Sequence, residues 1–284
     1  MTGLATGGTA PTGRTALIGH TGFVGSNLLA SHPFTDCYNT ANIADLRGRR
    51  YDLVVSAGGR ADSHRINAHA EADRAELQEY LDVLSSVRTD QLVHVSTVCV
   101  YPGGSTPTES TPLRPDGLTP YGVNRLHLEQ ELAARLPTLV LRLPQLYGAG
   151  LKKGIVHDLM NDYRVEHIRP AGRFQYYDVR ELWGHVQTAL GAGLTSLNLA
   201  TPALTSARVA ADCFGVDISE QVVAGEESPF AAMYTRDMRT DHADLFGGPP
   251  GYLVDEESEV AALRRFVQQQ RSSAARSGPG TPPA

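Results

Sequence analysis

The segment that decides the fold is the glycine turn Gly19-His20-Thr21-Gly22-Phe23-Val24-Gly25, preceded by TALI and followed by SNLLA. This pattern predicts a strand at Thr15–Gly19, a sharp turn, and a helix at Val24–Ala30. Gly19 permits the turn, Gly22 lets the backbone approach a pyrophosphate, and Gly25 allows close contact between helix and strand. The helix N-terminus then faces the phosphates, so the segment predicts a dinucleotide-binding site.

Apolar runs and helical patterns alternate along the rest of the chain. Continuous runs such as LVVSA and LVHVS are typical of strands buried on both faces of a parallel sheet. The predicted strands are Asp52–Ala57, Gln91–Ser96, Thr138–Leu143 and Ser196–Leu199, and the predicted helices are Ala68–Val87, Tyr121–Arg135, Ile155–Tyr163, Val179–Leu190, Ser206–Phe214 and Glu256–Gln270. The alternation predicts a doubly wound α/β fold of the Rossmann type with a small C-terminal lobe.

Composition narrows the class of partner. The chain has 284 residues, 41% hydrophobic content and a net charge of −6, without a dense Lys/Arg run. These properties argue against a nucleic-acid or membrane partner and favour a small-molecule substrate. The histidines lack the spacing of a metal site, so no metal is expected. Three scattered cysteines, with neither a signal peptide nor an apolar membrane span, favour a cytoplasmic protein.

The composition also divides the chain. Residues 1–13 and 272–284 are rich in Gly, Pro, Ser, Thr and Ala, which predicts flexible tails. Between them we predict a dinucleotide-binding domain at residues 14–150. A small substrate lobe at residues 151–271 is expected to be interleaved with the last sheet strand.

Four further segments, together with the GxxGxxG spacing of the turn, resemble the extended short-chain dehydrogenase/reductase family of epimerases and dehydratases. The order of the segments agrees with that family as well. They are LVHVSTVCVYP (92–102), YGVNRLHLEQEL (121–132), LVLRLPQLYGAG (139–150) and RFQYYDVRELWGHV (173–186). The resemblance implies an NAD(P)-dependent enzyme and makes a helix-paired homodimer plausible.

The resemblance also implies a catalytic site. Tyr121 would be the acid/base, Thr97 would donate a hydrogen bond to the substrate oxygen, and Arg125 would stand where the family has a lysine. One helical turn separates Arg125 from Tyr121, so its permanent charge could lower the phenol pKa while its fork holds the ribose hydroxyls. An arginine cannot readily relay a proton.

The cofactor is expected to be NAD, with NADP as the open alternative. The acidic residue that commonly binds the adenosine ribose is not evident. Asp36 could lie within the second strand, while Asn39 is better placed at its end and could bond either ribose or loop backbone. No arginine follows closely to receive a 2′-phosphate. The predicted cofactor-binding residues are Gly19, Thr21, Gly22, Phe23, Val24, Gly25, Asn39, Ala57 and Gly58, with Tyr121 and Arg125.

The predicted substrate-binding residues are Gln145, Lys153, Gln175 and Tyr176, with Lys152 and His157 nearby. A lysine there could bind a phosphate or carboxylate. The insert between Tyr147 and Phe174 is short for an enzyme that encloses a whole nucleotide sugar. A simpler sugar or a specialised biosynthetic intermediate therefore competes as the substrate.

Three functions remain open from the sequence. The leading one is hydride transfer between NAD(P) and a sugar-like hydroxyl or carbonyl, in an epimerase, dehydratase or reductase. The second is a cofactor-binding regulator that has lost redox activity, which Arg125 keeps under consideration. The third is a non-redox isomerase or lyase on the same fold.

Overall fold

The computed structural model describes residues 13–223 and 236–277. The elements named below follow the chain order. They are β1 (Thr15–Ile18), α1 (Phe23–Ser31), β2 (Asp36–Tyr38), β3 (Arg50–Ser56), α2 (Ser63–Ala68), α3 (Ala70–Ser85), β4 (Arg88–Thr97), α4 (Pro120–Arg135), β5 (Thr138–Leu143), β6 (Gln145–Tyr147), α5 (Ile155–Met160), β7 (Arg173–Asp178), α6 (Leu182–Gly191), β8 (Ser196–Asn198), β9 (Ala203–Thr205), α7 (Ser206–Val209) and α8 (Glu256–Ser277).

The described residues form a parallel sheet of six strands in the order β2-β1-β3-β4-β5-β8. One apolar core lies on the α1 and α6 face, and another lies on the α3 and α4 face. Central strand residues such as Leu17, Val55 and Val93 are fully buried. The doubly wound α/β prediction is confirmed, and the strands deliver their carboxyl ends to one edge, where such folds bind ligands.

The connection between β2 and β3 is short. Residues 39–49 contain a single 3-10 helix at Ile43–Leu46 and then enter β3, which pairs with β1. In the doubly wound order 3-2-1-4-5-6, a further strand stands beyond the second one. Within the described residues β2 is instead the edge strand, and the loop after it returns directly to the binding edge.

The second, smaller sheet has the order β6-β7-β9 and belongs to the lobe. Its core collects apolar side chains from these strands, from α5 and α7, and from α8, with Tyr147, Tyr176 and Phe266 fully buried. Strand β8 returns from this region to pair with β5 in the main sheet.

Several helix boundaries differ from prediction. The expected long helix at Ala68–Val87 is broken at His69, which has non-helical dihedral angles between α2 and α3. The helix predicted to reach Tyr163 ends at Met160, because Asp162 and Arg164 adopt left-handed conformations with φ of 50° and 53°. The helix predicted at Ser206–Phe214 changes to a π-helical turn at Ala210–Phe214.

The predicted tails have different outcomes. Helix α8 continues to Ser277, so the tail prediction is wrong for residues 272–277. Residues 1–12 and 278–284 lie outside the described residues, as do 224–235. No helix in the described ranges is both long enough and apolar enough to cross a bilayer.

Candidate active site

The glycine turn has the geometry that its sequence predicts. Gly19 adopts a φ of +84°, its amide donates to the Tyr38 carbonyl at 2.7 Å, and the Gly22 amide donates to the Gly19 carbonyl at 2.9 Å. A Cβ on Gly25 would lie only 2.1 Å from the Gly19 carbonyl oxygen. The strand and helix therefore approach so closely that only glycine fits at position 25.

A cleft of about 670 Å³ opens at this turn and runs along the carboxyl edge of β1, β2 and β3. Six of the predicted cofactor residues line it: Gly19, Thr21, Gly22, Asn39, Ala57 and Gly58. Gly25 lies at the helix–strand contact instead, and Phe23 and Val24 pack against the apolar core. These three residues shape the turn without lining the cleft.

Asn39 directly follows β2, and Arg47 lies farther along the loop between β2 and β3. Asn39 accepts the Ala41 amide at 2.9 Å in a local turn, while Asp36 lies at the opposite end of β2, bonded to Arg14 and Tyr51 at 2.7 Å each. Arg47 lines the same cleft as Asn39. The sequence interpretation missed Arg47 because the short loop after β2 brings it back to this edge.

Thr97 and Tyr121 meet at the end of β4. Helix α4 begins beside this strand end, with Thr119 capping the Gly122 amide at 3.3 Å. A Cβ on Gly122 would lie 2.2 Å from the Cys99 carbonyl, so the helix start packs tightly against the segment after β4. This contact brings the Tyr121 phenol beside Thr97, which lowers the pKa of the phenol.

Tyr121 is buried and faces a cation. The Arg125 guanidinium carbon lies 4.6 Å from the centre of the Tyr121 ring. Burial raises the pKa of the Tyr121 phenol, and the nearby Cys99 thiol acts in the same direction, whereas Arg125 and Thr97 lower it. Because burial dominates, the phenol holds its proton at neutral pH.

Arg125 is fixed by groups that the sequence did not reveal. Its two terminal nitrogens donate to the two carboxylate oxygens of Asp73 at 2.9 and 3.0 Å, and one donates to the Arg60 carbonyl at 2.7 Å. Asp73 also accepts the Asn124 side-chain amide at 2.8 Å. A signal existed, because Asp73 shares a helical stripe with the buried Leu77.

A second polar network lies farther along α4. Glu129 accepts the Arg142 guanidinium at 2.9 and 3.1 Å and the Ser96 hydroxyl, and Arg142 donates to the Tyr101 hydroxyl at 2.8 Å. These groups are buried between α4 and the sheet. The charged groups of this network are paired with each other and with neighbouring hydroxyl groups, so we assign the network a structural role.

The lobe contributes a basic pocket of about 420 Å³. Gln145 and Lys153, both predicted, line it together with Lys152, Gly154, Ile155, His157, Asp158, Tyr163, Arg164, His167, Ile168, Arg169 and Phe174. The Lys153 ammonium donates to the Ala61 carbonyl at 2.7 Å. Ala61 follows Arg60, which accepts from Arg125, so one loop borders both this pocket and the Tyr121 site.

Two predicted substrate residues lie elsewhere. The Gln175 amide donates to the Met238 carbonyl at 2.7 Å and accepts from the Met238 amide at 2.9 Å, so its polar atoms are occupied by backbone. Tyr176 is fully buried in the lobe core. Gln175 and Gln145 lie on paired strands, β7 and β6, yet only the Gln145 side chain reaches the pocket.

Comparison with solved structures agrees with this fold. DesIV, a dTDP-glucose 4,6-dehydratase from Streptomyces venezuelae crystallised with NAD, matches with a TM-score of 0.68 at 18% identity, over 92% of this chain and 98% of that chain. A UDP-galactose 4-epimerase matches with a TM-score of 0.67 at 16% identity, over 92% and 99%. A dTDP-4-dehydrorhamnose reductase from Clostridium acetobutylicum matches with a TM-score of 0.68 at 13% identity, over 91% and 99%.

The chain therefore has the Rossmann fold of these solved structures. Residues 34–169 match the sequence model of the NAD dependent epimerase/dehydratase family. The chain is similar to that family over this range, which contains Thr97, Tyr121 and Arg125 but begins after the glycine turn. No curated protein sequence matches the chain.

Proposed function

We propose that this protein is an NAD-dependent enzyme that moves a hydride to and from one carbon of a nucleotide sugar, with Tyr121 as its acid/base. One observation carries the proposal. Thr97, Tyr121 and Arg125 converge at the carboxyl edge of the sheet, beside the cleft that begins at the glycine turn. This edge is where a parallel sheet binds its ligands.

The residues of the cleft fit a dinucleotide. The start of α1 offers backbone amides to a pyrophosphate beside the Gly19–Gly22 turn, and Gly58 keeps the chain close under the neighbouring strand ends. When bound, NAD supplies the hydride acceptor and, in its reduced form, the donor. The protein then has to orient the substrate and manage one proton.

Tyr121 and Thr97 manage that proton. The Thr97 oxygen accepts the Cys99 amide at 3.2 Å, so its own hydrogen is free to donate toward Tyr121 or a substrate oxygen. The protonated Tyr121 phenol can donate to a carbonyl oxygen while that carbonyl is reduced, and it takes the proton back when the alcohol is oxidised. Burial of the phenol favours the donating state.

The basic pocket supports a phosphorylated substrate. Lys152, Lys153 and Arg164 line it with one acidic residue, Asp158. Lysine and arginine side chains form strong charge-assisted hydrogen bonds to phosphate oxygens. The diphosphate of a nucleotide sugar suits this set better than an uncharged sugar does.

The site favours chemistry at a single carbon. Dehydration needs an additional acid or base to expel a hydroxyl group from the neighbouring position. The residues that follow Thr97 at the end of β4, Val98 and Cys99, carry no carboxyl group. Epimerisation or reduction therefore fits this arrangement better than elimination of water.

The first experiment identifies the cofactor and the reaction together. The purified protein is denatured and the released nucleotide identified by mass, and the native protein is incubated with a panel of UDP- and dTDP-hexoses. Sugar products are detected by NMR while the absorbance of reduced nicotinamide is recorded. A stereoisomer of the starting sugar without net change in the nicotinamide indicates an epimerase, and stoichiometric oxidation of the cofactor indicates a reductase. A product that has lost water, also without net change in the nicotinamide, indicates a dehydratase and contradicts chemistry at a single carbon.

A second candidate is a cofactor-binding protein without turnover. The observation that favours it is the engagement of Arg125 with Asp73 and the Arg60 carbonyl, which leaves fewer donors for a ribose. NAD binding without product from any sugar in the panel supports this candidate and contradicts the enzyme proposal.

A further inference from the structure

We propose that Asp73 is a positioning residue of this site, holding Arg125 against Tyr121 and neutralising its charge so that Tyr121 serves as a proton donor. The inference rests on the proposed role of Tyr121. It concerns a residue outside the segments that carried the family resemblance, on a different helix from Tyr121 and Arg125.

The contacts between α3 and α4 fix the geometry. Asp73 lies in the first turn of α3, and both of its oxygens receive hydrogen bonds from α4, two from Arg125 and one from Asn124. The Arg125 and Asp73 side chains are each only 5% exposed. The planar fork of arginine matches a carboxylate at two points, so the pair determines the plane of the guanidinium.

A lysine at position 125 would lose part of this arrangement. The two terminal nitrogens of Arg125 reach both Asp73 oxygens and the Arg60 carbonyl at the same time. A lysine ammonium is a single point charge and does not reproduce the planar, two-point contact. Asp73 therefore gives a physical reason for arginine at position 125.

The second contact of Arg125 extends the effect to the cleft. Arg60 belongs to the loop between β3 and α2, and Gly58 and Gly59 of that loop line the cofactor cleft. Lys153 of the lobe donates to the next carbonyl, that of Ala61. Asp73 thus holds an arginine that orders the boundary between the cleft and the basic pocket.

The groups around Tyr121 determine whether its phenol is protonated. Thr97 and Cys99 face the phenol from the end of β4, and Arg125 faces it from α4. His94 of β4 lies near Arg125, but burial lowers its pKa to about 3, so it is neutral. Asp73 and Arg125 together carry no net charge, so Arg125 offsets only part of the rise in the Tyr121 pKa that burial causes.

The test measures Tyr121 directly and needs neither substrate nor cofactor. The protein is labelled with tyrosine carrying ¹³C at the ζ carbon, and the Tyr121 signal is assigned by its disappearance in Tyr121→Phe. We expect the signal of the unaltered protein to remain that of a phenol through pH 10. Asp73→Asn leaves Arg125 unbalanced, so its Tyr121 should ionise at a pH lower by roughly one unit or more.

Two variants separate this role from simple support of the fold. Glu129→Gln breaks the other buried carboxylate–arginine pair of α4 and should leave the Tyr121 titration unchanged, whatever it does to stability. The double variant Asp73→Asn with Arg125→Gln contains no charge at either position. It should fold without a buried unpaired ion and return the titration toward that of the unaltered protein.

The proposal is overturned if Tyr121 titrates alike in folded Asp73→Asn and in the unaltered protein. It is overturned equally if Glu129→Gln shifts Tyr121 as far as Asp73→Asn does. If Asp73→Asn does not fold, the double variant decides, because a Tyr121 titration well away from the original contradicts the neutral pair. None of these outcomes depends on whether the protein turns over a sugar.

Discussion

At the scale of single residues, Tyr121 has two separable parts. Its ring lies under the Arg125 guanidinium, and its hydroxyl meets Thr97. The ring contact belongs to packing, whereas the hydroxyl is the only part that can exchange a proton with a substrate. A substitution that removes one part and keeps the other therefore tests the chemistry without dismantling the site.

Tyr121→Phe should preserve the ring contact and abolish proton transfer. We expect NAD affinity within about threefold of the original and turnover lowered by roughly 10²–10⁴-fold, the usual contribution of a general acid/base. Calorimetric titration with NAD and product formation from the active sugar measure the two effects. Turnover that survives the substitution intact would remove Tyr121 from the mechanism.

Arg47 makes a second residue-scale prediction. It lines the cleft beside Asn39. Dinucleotide-binding folds commonly have a carboxylate at the position of Asn39, and a carboxylate there would repel a 2′-phosphate. Arg47→Ala should weaken NADP binding roughly tenfold, through loss of one charge-assisted contact, and leave NAD binding within about twofold. Arg50→Ala is the matched control, because Arg50 pairs with Asp90 at the opposite edge of the sheet. Equal losses for both dinucleotides would refute this role.

How far single residues could be predicted depended on where their partners lie in the sequence. Thr97, Tyr121 and Arg125 were predicted together because they stand in segments that resemble a family. Asp73 and Arg47 were not, since one contacts Arg125 from another helix and the other returns to the cleft through an unusually short loop. Contacts between residues that are far apart in the sequence leave no characteristic spacing from which they could be predicted.

At the scale of elements, the turn between β1 and α1 depends on two glycines in different ways. A Cβ on Gly25 would clash with the Gly19 carbonyl at 2.1 Å, but a Cβ on Gly22 would stand 3.3 Å from the same oxygen. The first contact lies inside the protein, and the second lies at the surface of the cleft. We therefore expect a side chain at Gly25 to disturb the fold and a side chain at Gly22 to disturb dinucleotide binding.

Gly25→Ala should destabilise the protein by roughly 1–3 kcal/mol, as overpacked contacts do. Gly22→Ala should cost less stability and reduce dinucleotide binding more, because its methyl group stands where a pyrophosphate approaches. Thermal unfolding without ligand and titration with NAD provide the two measurements. A Gly25→Ala protein as stable as the original would show that the helix can move away from the strand.

Strand positions could be predicted because continuous apolar runs have few alternatives in a parallel sheet. Helix ends could not be predicted as well. Residues 271–277 contain too little apolar content to indicate a core helix, yet α8 extends through them. Arg271 lies over the Phe214 ring at 5.5 Å, a tertiary contact that only the fold reveals.

At the scale of the whole molecule, Glu259 connects α8 to the lobe sheet. The residue is 4% exposed, and one of its carboxyl oxygens has no hydrogen-bond partner among the described residues. Burial, reinforced by Asp178, raises its pKa to about 8. Asp178 is itself paired with Arg180 at 2.6 Å, so this arginine does not compensate Glu259.

The sign of the resulting pH dependence follows from that raised value. Between about pH 4.5 and 8 the folded protein keeps the Glu259 proton while the unfolded chain loses it, so stability falls as the pH rises, by at most about 1.4 kcal/mol per unit. Glu259→Gln should flatten this slope in urea unfolding measured from pH 5 to 8. Glu257→Gln, on the same helix but exposed, is the control. Identical slopes in all three proteins would rule the effect out.

The edges of the main sheet have a consequence for behaviour in concentrated solution. Both edge strands, β2 and β8, are only three residues long in the described structure. Long unpaired edges are the places where sheets recruit strands from other molecules and aggregate. Because the loop after β2 omits the usual outer strand, the short strand β2 forms the edge and offers little backbone to which a second chain could add. We therefore expect refolding at high protein concentration with little aggregation.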